Sequence, residues 1–320
     1  MPRRPAARAV MCALVSLASW SCTSDDAASP ASSFATDAST TTAPPPSEPS
    51  APTPPGCPEL DLGATVPLQA AALREISGAA QSDRSDEAIW VHQDSGNAPE
   101  LHEVGLDGTL RSSWELPGAP NTDWEDLAAG VADSGRRHLF VADTGNNLRA
   151  REIVEVLRVP EPLADDQPGA LSTVATIRLR HPDTPADVEA LLVDPHTGDL
   201  VLATKELSGT ARVLVAPGAA WSPSGSEHLL EDRGALVLGF GQALLAGDIS
   251  PDGSVAALRT PSRVLLWPLD PDVPVADTLL HADPCPAPGV FDIVGEGLAL
   301  LDDGYVLVGE GDAPELVIAR

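Results

Sequence analysis

The chain has 320 residues, with 47 Asp and Glu against 19 Lys and Arg and a formal net charge of −28 at pH 7. A protein this acidic repels phosphate backbones, which excludes nucleic acid as a partner. Cation binding and plain solubility are both compatible with the charge. The length allows one large all-β domain or two ordinary domains.

The first 22 residues have the pattern of an export signal. Arginines at positions 3, 4 and 8 precede a short apolar segment over 10–20, which is too short to span a bilayer. Cys22 then precedes a polar tract, as in bacterial lipoprotein signals, although Trp20 is unusual there. We therefore expect lipidation at Cys22 and a location on the outer face of the cell membrane, held only by a lipid anchor. Simple secretion is the alternative.

Residues 23–56 consist mainly of Ser, Thr, Ala, Pro and Asp, with almost no large apolar side chains. Such a segment cannot bury enough apolar surface to offset the entropy of ordering it. The sequence therefore predicts a disordered tether, which its prolines keep extended.

The chain has four cysteines. Cys12 lies inside the signal and Cys22 is the predicted lipidation site, so two cysteines remain. Cys57 and Cys285 then form an even pair in an exported chain, which favours a disulfide. Free thiols or a metal pair are the alternatives, but no further ligand cluster lies near either cysteine in the sequence.

From residue 57 to 320 short apolar runs alternate with turns rich in Gly, Asp, Pro and Ser. No window has the pattern of a long amphipathic helix. This region is predicted to be one all-β domain made of hairpins.

A four-residue motif at the start of an apolar run recurs along this region. Successive copies begin 48, 64, 58 and 49 residues apart. A four-stranded propeller blade takes about 40–50 residues, or more with long loops. We therefore predict a β-propeller with five blades; six would require an unmarked unit around 217–245. The copies are Ile76-Ser77-Gly78-Ala79, Trp124-Glu125-Asp126-Leu127, Val188-Glu189-Ala190-Leu191, the degenerate Ala246-Gly247-Asp248-Ile249, and Gly295-Glu296-Gly297-Leu298.

The last unit is too short for four strands. Residues 59–68 are predicted to supply its outer strand, which closes the ring and hides the sheet edges. Cys57 and Cys285 would then be neighbours across the seam where the ring closes.

In a propeller the first strand of each blade lines the central channel, so the repeated glutamates should converge at its mouth. Crowded carboxylates either take up protons or bind a cation, and oxygen ligands suit Ca²⁺ or Mg²⁺. The alternative is that they accept backbone hydrogen bonds and fix the strand starts. The predicted cluster comprises Glu125, Glu189 and Glu296, with Ser77 and Asp248 near the same ring and Asp123, Asp126 and Asp187 beside it.

A second phrase follows the second strand of the first two units, as Asp94-Ser95-Gly96-Asn97 and Asp143-Thr144-Gly145-Asn146-Asn147. It is either a turn motif or, since these loops open beside the acids, a ligand-binding element. Lys205 and Arg259 supply the positive charges there, to hold an anion or to neutralise the acids. Trp124 is a stacking platform for a ligand or a residue packed between blades.

The stretches 92–97, 123–128 and 142–147 resemble a group of uncharacterised exported propeller-like proteins and lipoproteins of high-GC Gram-positive bacteria. More distantly, the Glu-x-Leu strand starts are similar to calcium-dependent lactonase or gluconolactonase and phytase-like propellers. The lactonase resemblance implies a metal at the channel mouth held by Glu, Asn and Asp. Glu125 or Glu296 with Asn97 or Asn146 would play that part.

Three functions follow from these observations. The first is a surface-tethered propeller that binds a small molecule or an extracellular protein at its acidic mouth, through Ca²⁺. The second is a metal-dependent hydrolase of lactones or esters, in which the three glutamates hold the metal and activate water. The third is a structural envelope protein. The motifs of zinc proteases, α/β-hydrolases and phosphate-binding loops are absent from the sequence.

Overall fold

The computed structural model describes residues 57–131, 135–171, 175–221, 225–292 and 295–320. The predicted export signal, the lipidation site Cys22 and the predicted tether lie outside the described residues.

The described chain forms five sheets arranged as the blades of a β-propeller, and their strands pair antiparallel except at one edge. The first strand, β1 (Leu62–Pro67), belongs to the last blade. Blade 1 follows with β2 (Ile76–Gln81), β3 (Ala88–Gln93), β4 (Glu100–Gly105) and β5 (Leu110–Glu115). Blade 2 contains β6 (Trp124–Val131), β7 (Arg137–Asp143), β8 (Ile153–Pro160) and β9 (Ala175–Arg180).

Blade 3 contains β10 (Val188–Val193), β11 (Leu200–Thr204), β12 (Thr210–Ala216) and, after β13 (Glu227–Leu229), β14 (Glu231–Val237). Blade 4 contains β15 (Ala246–Ile249), β16 (Val255–Thr260), β17 (Arg263–Pro268) and, after helix α1 (Val275–His281), β18 (Cys285–Ala287). Blade 5 consists of β19 (Gly297–Leu301), β20 (Gly304–Val308), β21 (Glu315–Ala319) and β1.

The predicted count of five blades is confirmed, and the described part of the segment 217–245 does not form a sixth. This segment holds a 3₁₀ turn over Gly218–Trp221 and two strands that join existing sheets. Strand β13 adds to the edge of blade 2 by parallel pairing with β9, and β14 is the outer strand of blade 3.

Packing occurs between blades and not around one centre. The core consists of five apolar clusters, each shared by two neighbouring blades around the ring. Inner strands are therefore covered on both faces, and β2 and β10 are buried at every position. The outer strand β5 alternates exposed and buried residues because only part of it meets a neighbour.

The predicted closure of the ring is also confirmed. Strand β1 pairs antiparallel with β21 and places Thr65 opposite Val317, so the first strand of the domain completes the last blade. Cys57 and Cys285 form a disulfide with Cα atoms 5.4 Å apart, although 228 residues separate them in sequence. The disulfide indicates an environment outside the cytoplasm.

Helix α1 was not predicted, because seven residues are too few to give a helical pattern in the sequence. Its apolar residues Val275, Ala276 and Leu279 join the core between blades 3 and 4. Among the described residues, no helix has the length and apolar character needed to cross a membrane.

Candidate functional site

Three glutamates from different blades meet at one end of the channel. One carboxylate oxygen from each of Glu125, Glu189 and Glu296 lies within 4.8 Å of the other two. The convergence predicted from the repeat is therefore present in the structure. This cluster of three side chains is called the glutamate cluster below.

A β-bulge aims these side chains into the channel. The pairing of the first two strands shifts by one residue at Ser77 in blade 1, Glu125 in blade 2 and Glu189 in blade 3. A bulge leaves the extra residue out of the hydrogen-bond ladder and redirects its side chain, which is why bulges are common beside functional sites. Glu296 reaches the same place from the position just before β19.

Glu189 is the most deeply placed member of the cluster. Its side chain is 1% exposed, and neither of its carboxylate oxygens has a hydrogen-bond partner among the described residues. The Lys205 ammonium lies 3.0 Å from Glu189 Oε1 as an ion pair and donates a hydrogen bond to Glu296 Oε1 at 3.2 Å. The Ser77 hydroxyl lies 3.3 Å from Glu296 Oε2. A single ammonium thus contacts two of the three carboxylates in the cluster.

Burial, followed by the charges of neighbouring carboxylates, raises the pKa of every member of the cluster. Burial and the charges of Glu189 and Glu296 raise the pKa of Glu125 to about 12. Burial and the charge of Glu296 raise the pKa of Glu189 well above its ordinary value, and burial also raises that of Glu296 despite Lys205. Burial alone would lower the pKa of Lys205, but the two glutamates outweigh it and shift it upward. The cluster therefore holds protons unless another cation is present.

A second acidic group lies further out. Single carboxylate oxygens of Asp94, Asp123 and Glu125 also lie within 4.8 Å of one another, and the two aspartates are partly exposed. Burial raises the pKa of both aspartates. Burial, together with Glu296 and Asp94, raises the pKa of Glu310 to about 7. Asp94, Asp123 and Glu310 are called the outer acids below.

Gly145 in the second loop phrase has a steric reason to be glycine. A Cβ atom there would collide with the carboxylates of Glu125 and Asp123. Its backbone N–H donates to the Asp123 carbonyl oxygen at 3.1 Å. The loop after β7 therefore presses its backbone against the acids, which fixes their position.

Three other residues that were predicted to bind a metal or a ligand instead contact neighbouring groups of the protein. Asn97 donates to Glu75 Oε2 at 2.8 Å and to the Asp94 carbonyl oxygen at 3.1 Å. The side-chain oxygen of Asn146 accepts two backbone N–H groups of its own loop, at 2.8 and 2.9 Å. Asp143 pairs with Arg151 at 2.7 Å. The structure does not bring these side chains into the glutamate cluster, and their ligand roles stay predictions.

Arg259 and Trp124 are buried and make their polar contacts within the protein. Arg259 donates to the carbonyl oxygens of Gly297 and Val308, at 2.7 and 2.8 Å, and burial lowers its pKa to about 10. It therefore fixes the start of blade 5. Trp124 is fully buried between blades 1 and 2, with its indole N–H on the Pro120 carbonyl oxygen at 2.9 Å.

Two aspartates that were expected near the cluster serve instead as braces between strands. Asp126 accepts backbone N–H groups from Leu127, Leu191 and Gly247, which ties blade 2 to blades 3 and 4. Asp248 accepts those of Ile249 and Leu300, each at 2.8 Å, and links blade 4 to blade 5. The alternative of carboxylates that fix strand starts therefore holds for these two residues.

No protein-family model matches the chain, and no curated protein matches it either. Function can therefore be inferred only from the chemistry of the channel mouth.

Proposed function

We propose that this protein is an exported binding propeller whose channel mouth takes a divalent cation, Ca²⁺, and through it a ligand. The observation that carries the proposal is the Glu189 carboxylate, which is buried beside two other carboxylates with the Lys205 ammonium as its positive partner. Three largely buried carboxylates that share one ammonium leave negative charge uncompensated, which is strongly unfavourable if they are ionised. A cation bound there would remove that cost.

The charge balance favours a dication over a single positive side chain. If ionised, Glu125, Glu189 and Glu296 carry three negative charges, and Lys205 offsets one of them. The remainder matches one divalent ion. Because protons occupy the cluster otherwise, binding of the cation would release them.

The donor atoms favour Ca²⁺, which prefers six to eight oxygen ligands and tolerates irregular geometry. Three carboxylates that bind through one oxygen each leave positions for oxygen atoms of water or of a ligand. The outer acids lie close to the glutamate cluster and are less buried, so a ligand that reaches the cation would come near Asp94, Asp123 and Glu310. This supports a binding role for the mouth.

For the location, we propose export followed by lipidation of Cys22, with residues 23–56 as a tether that places the mouth away from the membrane. The Cys57–Cys285 disulfide supports the export step. Mass spectrometry of the processed N-terminus tests the lipid on Cys22.

The cation site is tested by thermal melting of the purified domain in EGTA and in Ca²⁺. At a Ca²⁺ concentration about 100 times Kd, linkage gives about 2.7 kcal/mol of stabilisation, which for a domain of this size is a rise in Tm of about 5–10 °C. Glu189→Gln should abolish the rise, because the amide removes the buried charge. Glu87→Gln, an exposed substitution of the same kind, should retain it. An unchanged wild-type Tm, or an equal rise in Glu189→Gln, would reject the site.

A further inference from the structure

The most exposed apolar side chains of the domain are gathered on one side of it. Among the described residues, five large apolar side chains are more than 70% exposed: Leu148, Leu207, Val237, Phe240 and Phe291. All five lie in or next to loops that connect a second to a third strand, or one blade to the next. Leu148, Leu207, Phe240 and Phe291 are called the apolar arc below.

These loops lie on the same side as the glutamate cluster. Within each blade the end of the second strand pairs with the start of the first, as Thr204 with Val188 and Val308 with Gly297. Loops after second strands therefore open beside the channel mouth. Loops between blades lead directly into the first strands, so they open there as well.

Polar contacts connect the neighbouring loops that carry the arc. Arg149 and Glu206 form an ion pair at 2.7 Å, which joins the loop of Leu148 to the loop of Leu207. The Gly209 carbonyl oxygen accepts the backbone N–H of Gly239 at 3.0 Å, which joins the loops of Leu207 and Phe240.

The arc continues towards blade 5 through the loop after β16. Gln242, which follows Phe240, accepts hydrogen bonds from Thr260 at 2.8 Å and Ser262 at 2.9 Å. Asp292, next to Phe291, donates its backbone N–H to the Pro261 carbonyl oxygen at 2.9 Å. Four exposed apolar side chains therefore follow one connected row of loops beside the mouth.

Composition argues against a chance distribution. Single exposed apolar residues are normal, whereas grouped ones mark interaction sites. The chain has only four phenylalanines, and two of them, Phe240 and Phe291, are 92% and 76% exposed in this row. Aromatic side chains are also enriched among the residues that dominate protein interfaces.

The charge on this face selects the partner. The outer acids lie in loops of the same side. Of the bases there, Lys205 is engaged by Glu189 and Glu296, and Arg149 by Glu206. The exposed Arg263 donates to the Leu238 carbonyl oxygen, and the three outer acids outnumber it. Complementary charge steers association and suppresses wrong partners. An acidic partner would be repelled here, and a basic one attracted.

We propose that the apolar arc and the outer acids together dock a basic, amphipathic peptide segment of another protein. Its apolar side chains pack on Phe240, Phe291 and their neighbours, and its Lys or Arg side chains lie over the outer acids. This inference rests on the proposed function, because it names the class of ligand that binds at the channel mouth.

The test measures fluorescence anisotropy of a labelled 12-residue peptide in which lysine alternates with leucine, added to the intact domain in EGTA. The wild type should bind it, and binding should weaken as salt rises. Phe240→Ser combined with Phe291→Ser should weaken binding at least tenfold, and Glu310→Gln about threefold. Leu163→Ser, an exposed apolar side chain in a loop on the opposite side, is the matched control and should bind like the wild type. All variants should keep the wild-type Tm in EGTA, because the apolar replacements are at exposed positions and Glu310 is only partly buried.

Two control peptides decide between charge and apolar contact. Replacing lysine by glutamate should abolish binding, and replacing leucine by serine should weaken it at least tenfold. Binding of the glutamate peptide, or an unaffected double phenylalanine variant, would overturn the proposal. So would a wild-type dimer in sedimentation that the double variant abolishes, since the arc would then pack on a second copy. Because the assay contains EGTA, it can fail while the Ca²⁺-dependent rise in Tm stands, and the converse holds as well.

Discussion

Lys205 is the only lysine of the chain, and it lies in the glutamate cluster. Elsewhere the chain uses arginine, whose flat guanidinium would fill more of the channel. A compact ammonium on a flexible stem can contact two carboxylates and still withdraw, since the Lys205 side chain is 25% exposed. Lys205 is thus an internal counter-ion that competes with a bound cation.

This competition gives a prediction for Lys205→Gln. Without the ammonium the metal-free domain should be less stable, because Glu189 and Glu296 lose their positive partner. Its Ca²⁺ affinity should rise about tenfold, which corresponds to about 1.4 kcal/mol, since the repulsion between ammonium and dication is gone. Calorimetric titration with Ca²⁺ measures the affinity.

Lys205→Arg keeps the charge and serves as the control, with an affinity near that of the wild type. Equal Ca²⁺ affinities for wild type and Lys205→Gln would show that Lys205 does not share the site with a cation.

At the same scale, the sequence predicted Glu125, Glu189 and Glu296 correctly as neighbours because each occupies the same place in the repeat. The sequence could not distinguish these three glutamates from Asp126 and Asp248, which lie outside the cluster. A shift of one residue along a strand turns a side chain to the other face, and the bulges that set this direction leave no clear mark in the residue types. Asp126 therefore binds backbone N–H groups although it follows a cluster residue directly.

The repeat and the cysteines together predicted the strands and their order, including closure of blade 5 by β1. Two elements escaped this reasoning for different physical reasons. Helix α1 is too short to show a period, and β13 pairs with β9 of another blade, which no local pattern can indicate. The apolar arc was also missed, because a single Phe or Leu in a loop gives no sign of being exposed.

The closing strand depends on its disulfide, which gives a prediction for Cys57→Ser with Cys285→Ser. Loss of a disulfide that closes so long a loop typically costs about 2–5 kcal/mol, so the urea midpoint should fall. Hydrogen exchange should quicken first in β1, whose residues are mostly exposed and pair with β21 alone. Exchange in β2 and β10, buried throughout, is the internal reference. Equal protection of β1 in both proteins would contradict a clamping role for the disulfide.

At the scale of the whole molecule, part of the large negative charge of the chain lies on acidic side chains in the centre of the propeller. Most globular proteins keep carboxylates at the surface, whereas here Glu125, Glu189, Asp126 and Asp248 are all nearly inaccessible. The two aspartates accept backbone N–H groups, whereas the positive partner within the glutamate cluster is the single ammonium of Lys205. The propeller therefore brings unfavourable charges together at its axis, and a proton or a cation must balance them.

This imbalance predicts an unusual dependence of stability on pH. The pKa of Glu125 is raised to about 12 and that of Glu189 well above its ordinary value, so above pH 4.5 the folded state holds protons that the unfolded state has lost. Stability must then decrease as pH rises. The histidines act in the opposite direction only at lower pH, since burial lowers the pKa of His92 and His102 to about 4 from 6.5. Between pH 7 and 9 the carboxyl groups decide the sign.

In EGTA we expect the free energy of unfolding to fall from pH 7 to 9 by about 3 kcal/mol for each proton that the folded state retains, since a retained proton contributes about 1.4 kcal/mol per pH unit. Urea titrations at several pH values measure it. Glu125→Gln removes a retained proton and should flatten the slope, whereas the exposed Glu87→Gln should leave it unchanged. Saturating Ca²⁺ should flatten it too, because the cation takes over the balancing role of the protons. A stability that is constant or rises over this range in EGTA would mean that the glutamates are already ionised and compensated without a cation.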